Sequence, residues 1–223
     1  MIKILVLGDS HSQIFNFCNK KQQNIHFEVF VVSGATAQGS VNPNSKTNAL
    51  GIFKEKLRNI KRNEFKYVII NLGEVDCGFV IWYRQKKYNI GIEDQLKITT
   101  DNLFSFVNFE ILPHFQSSNI IINGSVLPTI KDNTDKKYLA GARSEINVSQ
   151  LDRTKLTIKY NNKLKNNSLI NGYKYMDITN YILDNETNVV NTIFLNKNIF
   201  DHHLDSENTY HLWLCELYKT IGI

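Results

Sequence analysis

"ILVLGDSHSQIF", residues 4 to 15, runs from an aliphatic stretch straight into a polar turn. Four large aliphatic residues, Ile4 to Leu7, stop at Gly8, and an acid, a serine and a histidine follow at once. With Ile2 ahead of it, the run has the composition of a strand buried on both faces, as in a parallel sheet. A chain that leaves such a strand through glycine sets Asp9, Ser10 and His11 just beyond its carboxyl end. Open parallel sheets hold their chemistry there.

"IKILVLG" (2 to 8) is joined by four further strand-like runs: "HFEVFVV" (26 to 32), "KYVIINLG" (66 to 73), "NIIINGSVLP" (119 to 128) and "YKYMDIT" (173 to 179). The first, third and fourth are nearly continuous Ile, Val and Leu. Helix-compatible stretches lie between them, at 47 to 62, 93 to 115 and 149 to 167, with Ser149 a possible cap. A last one runs from about Ser206 to Lys219. Alternating strand and helix predicts a three-layer α/β/α sandwich on a five-stranded parallel sheet, flavodoxin-like. With 223 residues, 42% of them hydrophobic, only 3 prolines and no linker or repeat, the whole span 1–223 reads as one domain.

The net charge of +5 comes from scattered lysines. "KEKLRNIKRNEFK" (54 to 66) is the densest basic stretch, but Glu55 and Glu64 dilute it into a solvated helix face rather than a nucleic-acid patch. No nucleic acid is expected as a partner, and anionic ligands suit the charge better than cationic ones. Cys18, Cys77 and Cys215 are odd in number and lack metal-ligand spacing, which fits reduced thiols in a cytoplasmic protein. The first apolar run is too short for a secretory signal, and no run approaches a membrane span. Nothing in the sequence fixes an oligomeric state.

The residues to interrogate follow each strand: Asp9 to His11, Ser33 to Gly39, Gly73 to Asp76 and Gly124 to Thr129. A serine hydroxyl is a poor nucleophile unless a base takes its proton and donors stabilise the oxyanion. Ser10 opens the turn after Gly8, where backbone N–H groups are free. "SGATAQG" (33 to 39) supplies a glycine N–H after the second strand, and "FDHHLD" (200 to 205) supplies two histidines.

At these residues the chain resembles the GDSL or SGNH hydrolases. "GDSHS" is similar to their first block, "SGAT" to the second, "LGEVDCG" to the third and "DHHL" to the last, in the right order over nearly the whole chain. The resemblance implies the SGNH hydrolase fold, with Ser10 as nucleophile and the N–H groups of Ser10 and Gly34 as the oxyanion hole. His203 would be the base, oriented by Asp201. Asp9, Gly73, Glu74 and Asp76 would support the site. Two departures stand out. The family's oxyanion asparagine would fall at Val75, which has no side-chain donor, and "GEVD" resembles a variant found in subgroups associated with surface polysaccharide genes. Asp201 precedes His203 by two residues rather than three, and Phe200 holds the family's acid position, so His202 stays open as the base.

The resemblance implies a serine-dependent acyl-ester hydrolase or O-acyltransferase, acting on O-acetyl groups of a carbohydrate or surface-polysaccharide precursor. Its partner would be a small-molecule or glycan ester, with an acyl-thioester co-substrate if transfer is the reaction. No bound cofactor is expected. The alternative is a catalytically weak glycan-binding or partner module that keeps the SGNH fold.

Each residue also has a plainer reading. Ser10 caps many such turns, and Gly34 and Gly39 serve ordinary turns. His11 packs beside the serine turn or touches ligand. Glu74 and Asp76 form an acid/base pair or, more simply, support the Ser10 loop. Asp201, His202, His203 and Asp205 have metal-ligand chemistry, but adjacent side chains on an extended stretch point apart, so no metal is expected. Trp82, Tyr83 and Tyr88 form an aromatic wall for a sugar or pack; Arg84, Lys86 and Lys87 hold an anionic group or are solvated. In the polar segment from Pro128 to Gln150 and just after it, Arg143 and Arg153 fix a substrate carboxylate or phosphate, or make surface salt bridges.

Overall fold

The parity of the strand residues sorts the core into two layers. In β1 (Ile2–Gly8), Leu5 and Leu7 face one side of the sheet and Ile4 and Val6 the other. The computed structural model describes residues 1–61, 63–135, 137 and 142–223. The remaining strands are β2 (Ile25–Val31), β3 (Tyr67–Asn71), β4 (Ile120–Asn123) and β5 (Lys174–Met176). They form one sheet in the order β2-β1-β3-β4-β5, every neighbouring pair parallel. This is the flavodoxin-like order in one α/β domain. The inner strands β1, β3 and β4 are buried on both faces, as their aliphatic runs require.

The helices are α1 (Ile14–Lys21), α2 (Ala49–Arg58), α3 (Ile81–Tyr88), α4 (Ile92–Phe106), α5 (Ala142–Glu145), α6 (Gln150–Asn171), α7 (Thr179–Ile182) and α8 (Ser206–Ile221). One face of the sheet is covered by α2, α4 and α6, through Phe53, Leu57, Leu96, Leu103, Leu156 and Tyr160. The other is covered by α1 and α8, through Phe15, Cys18, Trp213, Leu214 and Leu217. Full burial of each such side chain stabilises by about 1.5–3 kcal/mol, so both layers are needed.

The sequence reads three strands (66–73, 119–128, 173–179) and two helices (47–62, 93–115) too long, the last two strands and the second helix most. β4 ends at Asn123 because Val126 and Leu127 leave the sheet to enter the core with α1 and α8. β5 ends at Met176 because the Asp177 carboxylate accepts from the N–H (2.7 Å) and hydroxyl (2.6 Å) of Thr179, which turns the chain into α7. The stretch at 93 to 115 is α helix only to Phe106, then a π turn over Val107–Ile111, and it breaks before Pro113. Ser149 does cap α6, accepting from Asp152 N–H at 3.0 Å, and Gly172 closes that helix at φ +69°.

The sheet register prepares the site. Gly8 pairs with Val31 on one side and with Asn71 on the other. The segments that follow β2 and β3 therefore flank the turn that follows β1.

Candidate active site

Gly8 is forced by space. A Cβ there would lie 2.2 Å from Ser12 Oγ and 2.3 Å from the Asn71 carbonyl oxygen. Beyond it, the Asp9 carboxylate accepts from His11 N–H at 3.0 Å and caps a 3-10 turn over Ser10–Gln13. Ser10 is the first residue of that turn, so its N–H has no intrahelical acceptor. A polar chain runs beneath it. Asn123 Nδ2 donates to Asn71 Oδ1 (2.8 Å), and Asn71 Nδ2 donates to Ser12 Oγ (2.9 Å). Sequence reasoning missed Ser12 and Asn123, although an asparagine as the last residue of an aliphatic strand was a readable signal. Burial pushes Asp9 up to about 7, against the pull of neighbouring His11.

Ser10 Oγ lies 2.9 Å from His203 Nε2, and Asp201 Oδ1 lies 2.6 Å from His203 Nδ1. The same Asp201 oxygen accepts from His203 N–H at 2.9 Å, and Asn196 Nδ2 donates to the other carboxylate oxygen at 3.0 Å. A two-residue spacing thus suffices, because the carboxylate folds back over the turn to meet backbone and ring together. Phe200, at the family's acid position, is 60% exposed. With the carboxylate at Nδ1, the proton belongs on Nδ1 and the Nε2 lone pair faces the serine. Burial and the neighbouring His11 charge hold His203 below the usual imidazole range, although Asp201 pulls the other way. Asp201 is itself lowered, because its bonds to His203 outweigh partial burial.

The loop after β2 turns at Gly34, which is exposed at φ +74° with only an ordinary contact, Thr47 Cγ2 at 3.8 Å, at its Cβ position. Asp76 fastens this loop. Its fully buried carboxylate accepts from Ala37 N–H at 2.6 Å and Gln38 N–H at 3.1 Å, and burial raises it to about 6. Glu74 reaches the Ser10 turn instead, with Oε2 3.3 Å from His11 Nε2 and 3.4 Å from Arg143 Nη2. The two acids therefore support different loops rather than both bracing Ser10. Burial opposes the Glu74 charge, but His11 and Arg143 hold its carboxyl down at about 2. Gly73 sits at φ +134°, where a Cβ would meet the Tyr160 ring at 2.3 Å. Val75 is half-buried and brings no donor, and the Asn71 amide is already engaged by Ser12.

The adjacent histidines do not point apart. Their ring centroids are 4.3 Å from one another, and the His11 ring is 4.6 Å from His203 and 5.5 Å from His202. The stretch is not an extended strand: the Asp201 turn brings both rings to the same side. His202 is held by its carbonyl, which accepts from Thr129 Oγ1, and burial with the Arg143 charge pushes its ring down to about 4. His11, His202 and His203 offer ring nitrogens within 4.8 Å of one another, the one such metal-capable group among the described residues. His203 is already engaged at both nitrogens by Ser10 and Asp201.

A cavity of about 120 Å³ opens beside Ser10, with His11, Asn196, Asp201, His203 and Trp213 in its walls. Trp82 is not among them. Its indole N–H donates to the Cys77 carbonyl at 2.8 Å and its ring packs on the α2/α4/α6 core. Arg84 acts on Asp76 electrostatically, and Lys87 lies over the Tyr83 and Tyr88 rings. Arg143 reaches Glu74, whereas Arg153 is only 3% exposed and so is no surface ion pair.

No family model and no curated protein matches the sequence. Solved structures do match its shape. A GDSL-like lipase from Bacteroides thetaiotaomicron superposes with a TM-score of 0.63 at 15% identity, over 99% of this chain and 87% of that one. A G-D-S-L family lipolytic protein from Veillonella parvula gives 0.56 at 12% identity, over 100% and 99%. An extracellular lipase from Streptomyces rimosus gives 0.58 at 12% identity, over 99% and 100%. The chain has the α/β fold of the GDSL/SGNH hydrolases.

Proposed function

We propose that the protein is a serine-dependent acyl-ester hydrolase or O-acyltransferase of the SGNH type. The observation that carries this is the contiguous line Asp201–His203–Ser10, with 2.6 Å and 2.9 Å contacts. Ser10 Oγ attacks the ester carbonyl while its proton passes to His203 Nε2. The carbonyl oxygen takes the negative charge, facing the N–H groups of Ser10 and Gly34. Collapse breaks the ester C–O bond, and His203 returns the proton to the departing alkoxide. Water, or a sugar hydroxyl in the transferase case, then attacks the acyl-serine with His203 again the base. Asp201 holds the ring and balances the imidazolium that forms.

The preferred substrate is an O-acetyl ester on a carbohydrate or polysaccharide precursor. The GEVD third block supports it, and the lipolytic neighbours share the fold in which such chemistry runs. An acyl thioester would be the donor for transfer. Three free cysteines, with Cys215 exposed, fit a cytoplasmic setting. Among the described residues no helix is long and apolar enough to cross a membrane.

A second reading, a glycan-binding or partner module with a lapsed oxyanion hole, draws on Val75. Hydrolysis of p-nitrophenyl acetate by wild type and Ser10→Ala separates the two. The hydrolase reading requires a wild-type rate well above background that Ser10→Ala removes; equal rates would favour the module.

A further inference from the structure

Beside the serine site, across Glu74 and Arg143, lies a second cavity of about 310 Å³. It is walled by the segment after β4, by the start of α6 and by Phe79. Among the described residues, three cations, Lys131, Arg143 and Arg153, line it against one carboxylate, Asp132. Both guanidinium groups sit over the same phenyl ring, Arg143 at 4.7 Å and Arg153 at 5.6 Å from the Phe79 centroid. Two like charges on one ring, mostly out of water, need more compensation than the cavity walls provide.

Arg153 makes the shortage plain. Its Nη2 donates to the Ile130 carbonyl at 2.6 Å, but among the described residues buried Nε and Nη1 have no hydrogen-bond partner, and neither has Nε of Arg143. Each arginine has one carboxylate within ion-pair distance, and each carboxylate has a second partner. Asp132 is 61% exposed, stands 3.7 Å from Arg153 and accepts from Gln150 N–H at 2.5 Å. Glu74 divides its charge between Arg143 and His11. Val148 and Ser149 bring the positive end of the 22-residue helix α6 to the same wall. Buried charges are normally paired, and planar guanidinium groups pair best with carboxylate, phosphate or sulfate.

We infer that this cavity is an oxyanion subsite: Arg143 and Arg153 hold a carboxylate, phosphate or sulfate group carried by the ester substrate. The link to the ester rests on the hydrolase reading; the anion site itself does not. Arg143 links the two cavities: it lines this one and lies 3.4 Å from Glu74, which is 3.3 Å from His11 in the wall of the serine cavity. A substrate with its ester at Ser10 would extend past His202 to place its anionic group there. The preferred substrate class is then an acyl ester of an acidic sugar or of a sugar phosphate.

Calorimetric titration of Ser10→Ala with D-glucuronate, inorganic phosphate and sulfate tests the site without turnover, with D-glucose as the neutral control. At least one anion should bind and glucose should not. Adding Arg143→Gln should weaken that binding about tenfold or more, as expected for loss of a charge-assisted pair. Arg143→Lys, which keeps the charge and loses the fork, should fall between. No anion binding, or binding unchanged by Arg143→Gln in a variant that melts normally, would overturn the subsite. In wild type, an O-acetylated glucuronate should then show a KM roughly tenfold below that of the matching O-acetylated glucose, a difference Arg143→Gln should erase. Equal KM values would overturn the assignment to substrate and leave a free-anion site. Anion binding without turnover of either ester would refute the hydrolase reading while upholding the subsite.

Discussion

Replacing Asp201 by asparagine keeps the size of the side chain and removes the charge that faces His203. The ring nitrogen and carboxylate oxygen are 2.6 Å apart. With charge centres roughly 4 Å apart, the attraction to a protonated His203 is about 4 kcal/mol at an effective dielectric of about 20, and about 1 kcal/mol in water. The side chains of His203 and Asp201 are 30% and 36% exposed, so solvent screens part of it. A loss of about 2–3 kcal/mol of transition-state stabilisation follows, or roughly 30- to 150-fold in kcat. Initial rates on p-nitrophenyl acetate measure this, with thermal melting to show that the fold is intact. The pH profile supplies a second sign. As the proposed base His203 must be neutral, and burial holds its pKa below that of a free imidazole, so wild-type kcat/KM should be full at neutral pH and fall as acid protonates the ring. Removing the carboxylate that raises this pKa should move the acid limb to still lower pH. A variant within threefold of wild-type kcat, with an unmoved limb, would refute Asp201 as the orienting acid.

His203→Ala should abolish esterase activity, whereas His202→Ala should keep at least about a tenth of it, since only His203 Nε2 meets Ser10; the reverse would move the base to His202. Val75→Asn should raise kcat by up to ~10²-fold if its amide joins the Ser10 and Gly34 N–H groups, and lower stability with no gain in rate would sink the two-donor hole. Gly8→Ala should destabilise by about 1–3 kcal/mol or prevent folding, because its Cβ would lie 2.3 Å from the Asn71 carbonyl oxygen; a melting temperature equal to wild type would contradict the packing under the serine turn.

The aliphatic runs of β1, β3 and β4 made the parallel sheet legible, because a strand covered on both faces leaves a composition no wet strand has. The placement of Gly8 and Ser10 at the carboxyl end of β1 was readable for the same reason. The last residues of β4 and β5 were not readable, since Val126 and Asp177 are drawn away by tertiary contacts that no local pattern encodes. His202 and His203 misled the strand rule because the Asp201 carboxylate bends the chain, and a side chain that folds back on the backbone two residues later leaves no periodic trace. Asn196 gave no signal at all: it reaches Asp201 from an irregular segment. Arg153 reads as a surface residue by type, and its burial beneath Phe79 comes from α6 packing against the third-block turn.

The proposed triad requires Ser10 to be an activated hydroxyl and not merely the first residue of a capped turn. Incubation with a fluorophosphonate probe, followed by peptide mass spectrometry, tests it most directly. One covalent adduct is expected, on Ser10, abolished in Ser10→Ala and strongly slowed in His203→Ala. No adduct on wild-type protein, or an adduct equally strong in Ser10→Ala, would contradict it.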